Sequence, residues 1–140
     1  MVISGKLMLR IIRHLITVSI FMLVMTACAP AHDTEADARK MFNEYFTAIA
    51  ARDYAAAASL YPPDEQAQWR YFLQQREKDK GAMKSYTIDD VAGDTVFRGK
   101  FYVFTVHTKN EKQDAKELIT LFKKLDEKQM HVVAHKIEAK

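Results

Sequence analysis

The chain has 140 residues, of which 21 are Lys or Arg and 18 are Asp or Glu, giving a formal charge of +3. Lys6, Arg10 and Arg13 all precede the first long apolar run, and without them 18 basic residues face 18 acidic ones. That balance argues against a nucleic-acid binder, which needs a net or strongly segregated basic surface to neutralise phosphates, and a single cysteine excludes an internal disulfide.

Lys6, Arg10, Arg13 and His14 stand ahead of an uncharged run of thirteen residues, from Leu15 to Ala27. A helix that crosses a bilayer needs about 20 apolar residues, so residues 1–27 are expected to be a cleavable export signal. The run ends in Val24-Met25-Thr26-Ala27-Cys28. This pentapeptide resembles the processing box of a bacterial lipoprotein, with small residues before the cysteine and Met25 in place of the usual Leu. The resemblance implies that the Cys28 thiol receives a diacylglycerol and becomes the mature amino terminus. A thiolate attacks a lipid donor far better than a hydroxyl does, which is why the chemistry needs a cysteine. Two or three acyl chains, each CH₂ contributing about 0.8 kcal/mol on burial, would fasten the protein to a membrane of the cell envelope. Ala29 follows the cysteine; by the same resemblance, the absence of Asp there implies the outer membrane, facing the periplasm, in a source with two membranes.

Residues 28–33 read as a short tether containing Pro30, spanning at most about 20 Å at roughly 3.3 Å per residue. Residues 34–140 are long enough for one domain with a single core. Thr34-Glu35-Ala36-Asp37 has the form of a capping box that opens a helix. Ala38, Met41, Phe42, Tyr45, Phe46 and Ile49 then follow at helical spacing, opposite Arg39, Lys40, Asn43 and Glu44. Asp53 is placed to cap a second helix from Tyr54 to Tyr61, which Pro62-Pro63 must stop. A third helix is predicted from Asp64 to about Lys80, with Gly81 as its terminator.

After Gly81 the period changes to that of strands. Ser85 to Val91 alternates, Gly93-Asp94 reads as a turn, and Thr95 to Lys109 is rich in aromatic and β-branched residues with a break expected at Gly99. Lys116 to Leu125 and Met130 to Ile137 complete the set, joined by a turn at 126–129. Helices segregated from strands indicate an α+β fold, with N-terminal helices packed in the concave face of a curved, mainly antiparallel sheet of four or five strands. The segments Ala38 to Ile49, Ala51-Arg52-Asp53-Tyr54-Ala55-Ala56-Ala57, Glu117 to Leu121 and His131 to Ala134 resemble, in order and length, the NTF2-like (cystatin-like, SnoaL-like) superfamily. That resemblance implies a cone of sheet around a long first helix, often holding a pocket, and in many members a homodimer formed through the sheet face. It does not choose a function.

Three sets of residues are candidates for chemistry. Tyr45, Tyr61, Trp69, Phe72 and Tyr102, with Tyr71 beside them, are candidates to line an apolar pocket. His107, His131 and His135 are candidates for a transition metal if the alternation of their strands turns them to one side, although solvent-facing strand histidines are the simpler reading and no metal is assigned. Asp89 and Asp90 are adjacent, hence on opposite sides of a strand, and form no paired-carboxylate site. Lys112, Lys116, Lys123, Lys124 and Lys128 read as a solvated sheet edge that discourages strand addition. Glycine-rich phosphate loops, nucleophile elbows and paired Cys-x-x-Cys sites are absent from the sequence, so no cofactor and no catalytic residue is assigned. The leading expectation is a lipid-anchored binding module for a small apolar ligand or another envelope protein. A cyclase- or isomerase-like enzyme using a pocket Asp or His beside a tyrosine, and histidine-based metal binding, are the alternatives.

Overall fold

The apolar stripe of the first predicted helix becomes the spine of the core. In a computed structural model that describes residues 34–138, helix α1 spans Thr34–Ala50 and buries Ala38, Phe42, Tyr45, Phe46 and Ile49. The expected signal peptide at 1–27, Cys28 and the tether through Asp33 lie outside the described residues. α1 ends where Arg52 takes a left-handed φ of 61°. The Asp53 side chain then accepts from the Ala56 N–H at 3.0 Å and caps helix α2, Tyr54–Ala58. α2 stops short of the predicted Tyr61, as Ser59 donates its hydroxyl back to the Ala56 carbonyl and Pro62-Pro63 follow. Helix α3, Gln66–Lys80, starts two residues after the predicted Asp64, beyond a turn in which the Glu65 N–H bonds the Pro62 carbonyl. Gly81 terminates it at a φ of 82°, a conformation that a side chain rarely adopts.

Glu77 of α3 holds the bend between the first two helices. Its carboxylate accepts from Arg52 Nε at 2.6 Å and from the Tyr54 hydroxyl at 2.5 Å. Burial, then the bond to Glu77 and its charge, push the Tyr54 hydroxyl up to about 12, so it remains a donor at any physiological pH.

Four strands follow, β1 Met83–Val96, β2 Gly99–Asn110, β3 Ala115–Lys124 and β4 His131–Ile137. They form one antiparallel meander in the order β1-β2-β3-β4. The turn expected at Gly93-Asp94 does not form; these residues pair with Tyr102 and Phe101, and the hairpin turns at Phe97-Arg98 instead. The glycine has another use, since a Cβ on Gly93 would lie 2.9 Å from the Tyr102 ring, so the bare backbone makes room for the aromatic ring across the ladder. Gly99 opens β2, and the break expected at that residue is the hairpin end.

The sheet has a helix-covered face and an outer face. Tyr102, Phe104 and Val106 of β2, Ile119 and Leu121 of β3, and Val132 of β4 point into the core. Phe42 stacks on Phe46 and on Phe104, at ring-centroid distances of 4.5 and 4.4 Å, and so joins helix to sheet. Residues 34–138 are thus α+β, with three helices against a four-stranded antiparallel sheet.

Candidate functional site

Two residues that alternation and helical spacing place in the core are charged. Glu117 lies on the inward row of β3 with Ala115, Ile119 and Leu121, and Arg76 continues the inward row of α3 through Trp69, Phe72 and Leu73. Both are buried, and their side chains meet: Arg76 Nε donates to Glu117 Oε2 at 2.9 Å and Nη2 to Oε1 at 2.5 Å, a bidentate fork. Thr108 donates its hydroxyl to Oε1 at 2.5 Å, and His135 Nε2 lies 2.5 Å from Oε2. The carboxylate therefore has a donor at each of its lone-pair sites. Asn110 closes the far side, accepting from Arg76 Nη2 at 3.1 Å and donating to Thr108 at 3.0 Å.

From His135 the network continues into the aromatic core. Its Nδ1 lies 2.8 Å from the Tyr45 hydroxyl, which lies 2.8 Å from the Tyr61 hydroxyl. The direction of these bonds follows from counting protons. Tyr61 has no second hydroxyl partner among the described residues, so its O–H must donate to Tyr45, leaving the Tyr45 O–H to donate to Nδ1. Nδ1 is then an acceptor, and Nε2–H donates to Glu117. No buried side-chain nitrogen or oxygen of the chain from Tyr61 to Arg76 is without a hydrogen-bond partner, which is the condition for a buried polar network to be tolerated.

Burial favours the neutral forms here, and the partners decide which groups give way. Glu117 is pushed up by burial, but the hydrogen bonds from His135 and Arg76, with the Arg76 charge, outweigh it and hold the carboxyl well below the usual range. Burial drives the Tyr45 hydroxyl far above its ordinary value, with Tyr61 adding to the shift. Tyr61 is driven up by burial too. Both tyrosines keep their protons and act as donors.

Four of the five aromatic candidates come together around this chain. Tyr61 stacks on Trp69 at 4.4 Å, Trp69 meets Phe72 edge-on at 5.3 Å, and Phe72 meets the His135 ring at 5.3 Å. With Tyr45 and Tyr61 both at 0% exposure, these rings fill the interior. Tyr102 stands apart, its hydroxyl 2.8 Å from Thr34 Oγ1, and Tyr71 is 64% exposed. A shallow groove of about 780 Å³ runs along the outer side of α1, past Arg39, Asn43 and Thr47, and none of the aromatic candidates lines it.

The three histidines are not brought together. A bulge at Val133, between the Thr120–Ala134 and Leu121–Val132 pairs, breaks the alternation expected of β4. His135 consequently shares a side with Ile119 and faces the core, whereas His131 shares a side with Phe122 and faces out. His107 is exposed on β2 and pairs with Asp89. Asp90 is exposed as well, and among the described residues no group of three His, Cys, Asp or Glu side chains is arranged to hold a metal.

Sequence reasoning missed Arg76, Thr108, Asn110 and Glu117, although the signal was present. An Arg at i+7 on the stripe that starts at Trp69, and a Glu between Ala115 and Ile119 on an alternating strand, are charges at core positions, and each demands the other. No protein-family model matches the chain, and no curated protein matches it in sequence.

Removing one partner of the buried pair leaves the other charge uncompensated, so Glu117→Gln and Arg76→Met should each lower unfolding free energy by about 3–5 kcal/mol. The double variant Arg76→Met with Glu117→Gln should lose much less than the sum, which urea unfolding of the four proteins would reveal as strong coupling. The pH dependence has a definite sign. Because the folded-state carboxyl of Glu117 lies below its ordinary value of 4.5, its stabilisation is fully present above that pH and drains away as acid is added. The melting-temperature gap between wild type and Glu117→Gln should be constant near neutrality and narrow progressively below about pH 4.5.

Proposed function

We propose that the chain is a lipid-anchored protein of the bacterial cell envelope whose domain acts by binding and not by catalysis. The observation that carries the non-catalytic part is the saturation of the interior. His135 and Tyr45, a histidine and a tyrosine hydroxyl 2.8 Å apart, are the pair that an isomerase-like reading asks for. Yet both ring nitrogens are occupied, the His135 and Glu117 side chains are 0% exposed, and the tyrosines hold their protons far too tightly to trade them near neutrality. Every side chain of the network is buried and already hydrogen-bonded within it.

The helix-then-meander order and the long first helix against the sheet support an NTF2-like architecture. In this reading the aromatic interior serves stability, and the partner is met at the surface. The outer sheet face carries half-buried Val103, Leu118, Phe122 and Val133. It is the face on which another envelope protein or a second copy of the chain would pack, burying apolar area at roughly 25 cal/mol per Å². A small apolar ligand would have to displace rings that already fill the core, so a protein partner is favoured.

The anchor rests on the uncharged run ending at Cys28, which stands a few residues ahead of α1 in the sequence. Intact-mass analysis of protein produced in its native host should find a chain beginning at Cys28 and carrying a diacylglyceryl group. An unmodified thiol, or a chain cut elsewhere, would remove the anchor. Native mass spectrometry of the same material should show a protein partner or a second copy; a retained small molecule would return the pocket reading.

A further inference from the structure

Two turns at one end of the sheet expose large apolar side chains that the core does not use. Phe97, in the β1–β2 turn, is 97% exposed, Leu125, after β3, is 75% exposed, and Val96 is 41% exposed. The turns are adjacent: the Leu125 N–H donates to the Arg98 carbonyl at 3.0 Å, and Gly99 pairs with Lys124. The hairpin projects, since every residue of the β1 side from Ala92 to Arg98 is exposed.

Around the apolar tip lies a basic collar. Arg98, Lys100, Lys123, Lys124 and Lys128 face only Asp126 and Glu127 across residues 96–100 and 123–128, and Lys124 is paired with Glu127 at 2.7 Å. Exposed Phe and Leu ringed by Lys and Arg have the composition of an interfacial membrane contact, in which apolar tips enter the head-group region while long basic side chains reach anionic lipid phosphates.

The start of the folded domain lies at the same end. Thr34 Oγ1, at the first residue of α1, is 2.8 Å from the Tyr102 hydroxyl, and Tyr102 is three residues from the hairpin end at Gly99. Three residues of strand amount to about 10 Å, well inside the roughly 20 Å that the tether can span. We infer that the Phe97 and Leu125 turns, with their basic collar, form a second membrane contact that docks the domain on an anionic bilayer leaflet beside its own anchor. The inference rests on the anchor reading through the tether, and on the exposed tip for its chemistry. It also gives Lys123, Lys124 and Lys128 a partner where the sequence suggested only a solvated edge.

The test uses the acylated protein reconstituted in vesicles of phosphatidylethanolamine and phosphatidylglycerol, with and without bromine-labelled acyl chains. Wild type has one tryptophan, Trp69, on α3; Phe97→Trp and, separately, Leu125→Trp place a second at the tip, where substitution leaves the core alone. The added tryptophan should emit at shorter wavelength, lose most of its emission to brominated lipid and resist aqueous iodide, with Trp69 little changed by the lipid. Replacing phosphatidylglycerol by phosphatidylcholine should weaken the lipid quenching, because the collar loses its counter-charge. Full access of the tip tryptophans to iodide with no lipid quenching would overturn the inference and leave the anchor intact. Protection from iodide without lipid quenching would overturn it in favour of a protein partner at the tip. Mass analysis of the same preparation reports the anchor independently, and an unmodified Cys28 would refute that reading and with it the docking geometry.

Discussion

A carboxylate with no access to water and four hydrogen-bond donors around it sets the terms for the rest of this domain. Glu117 ties three elements that share no local sequence: α3 through Arg76, β2 through Thr108, and β4 through His135. Taking two charges out of water costs several kcal/mol per ion, and the attraction between them offsets this only when geometry is good and the remaining valences are filled. Both conditions are met. Such a pair contributes less to stability than apolar residues of the same volume could, but it penalises every arrangement in which the three elements do not meet.

The aromatic core is built outward from the same point. His135 carries the polar chain from Glu117 to Tyr45 and Tyr61, and their rings, with Trp69 and Phe72, close over it. The bulge at Val133 is the backbone device that makes this work, because regular alternation would have turned His135 away from the carboxylate. One extra residue in β4 thus decides whether the last acceptor site of Glu117 and the Tyr45 hydroxyl share a partner.

Much of the fold was legible because its signals are periodic. The stripe from Ala38 to Ile49, the cap at Asp53, the stop at Gly81 and the alternation of β3 all depend on neighbours in sequence, and they appear where spacing puts them. The hairpin was misplaced because Gly93-Asp94 has turn composition, whereas the glycine there serves the Tyr102 ring on the adjacent strand. The aromatic candidates were legible as a group but not their role: composition cannot distinguish rings that line a cavity from rings that fill one. Least legible was the network, since pairing Arg76 with Glu117 requires knowing that α3 crosses β3, and pairing His135 with either requires the bulge. On the proposed binding role, an ionisable interior spent on itself directs attention to the outer sheet face and the basic, apolar tip.

The state of the His135 ring is the most direct test of this account. Long-range ¹H–¹⁵N correlation at neutral pH should show Nε2 protonated and Nδ1 bare, with the Nε2 proton far downfield and slow to exchange with water. A ring protonated at Nδ1, or one whose proton exchanges as fast as that of an exposed histidine, would contradict the closed network and reopen the interior as a site for chemistry.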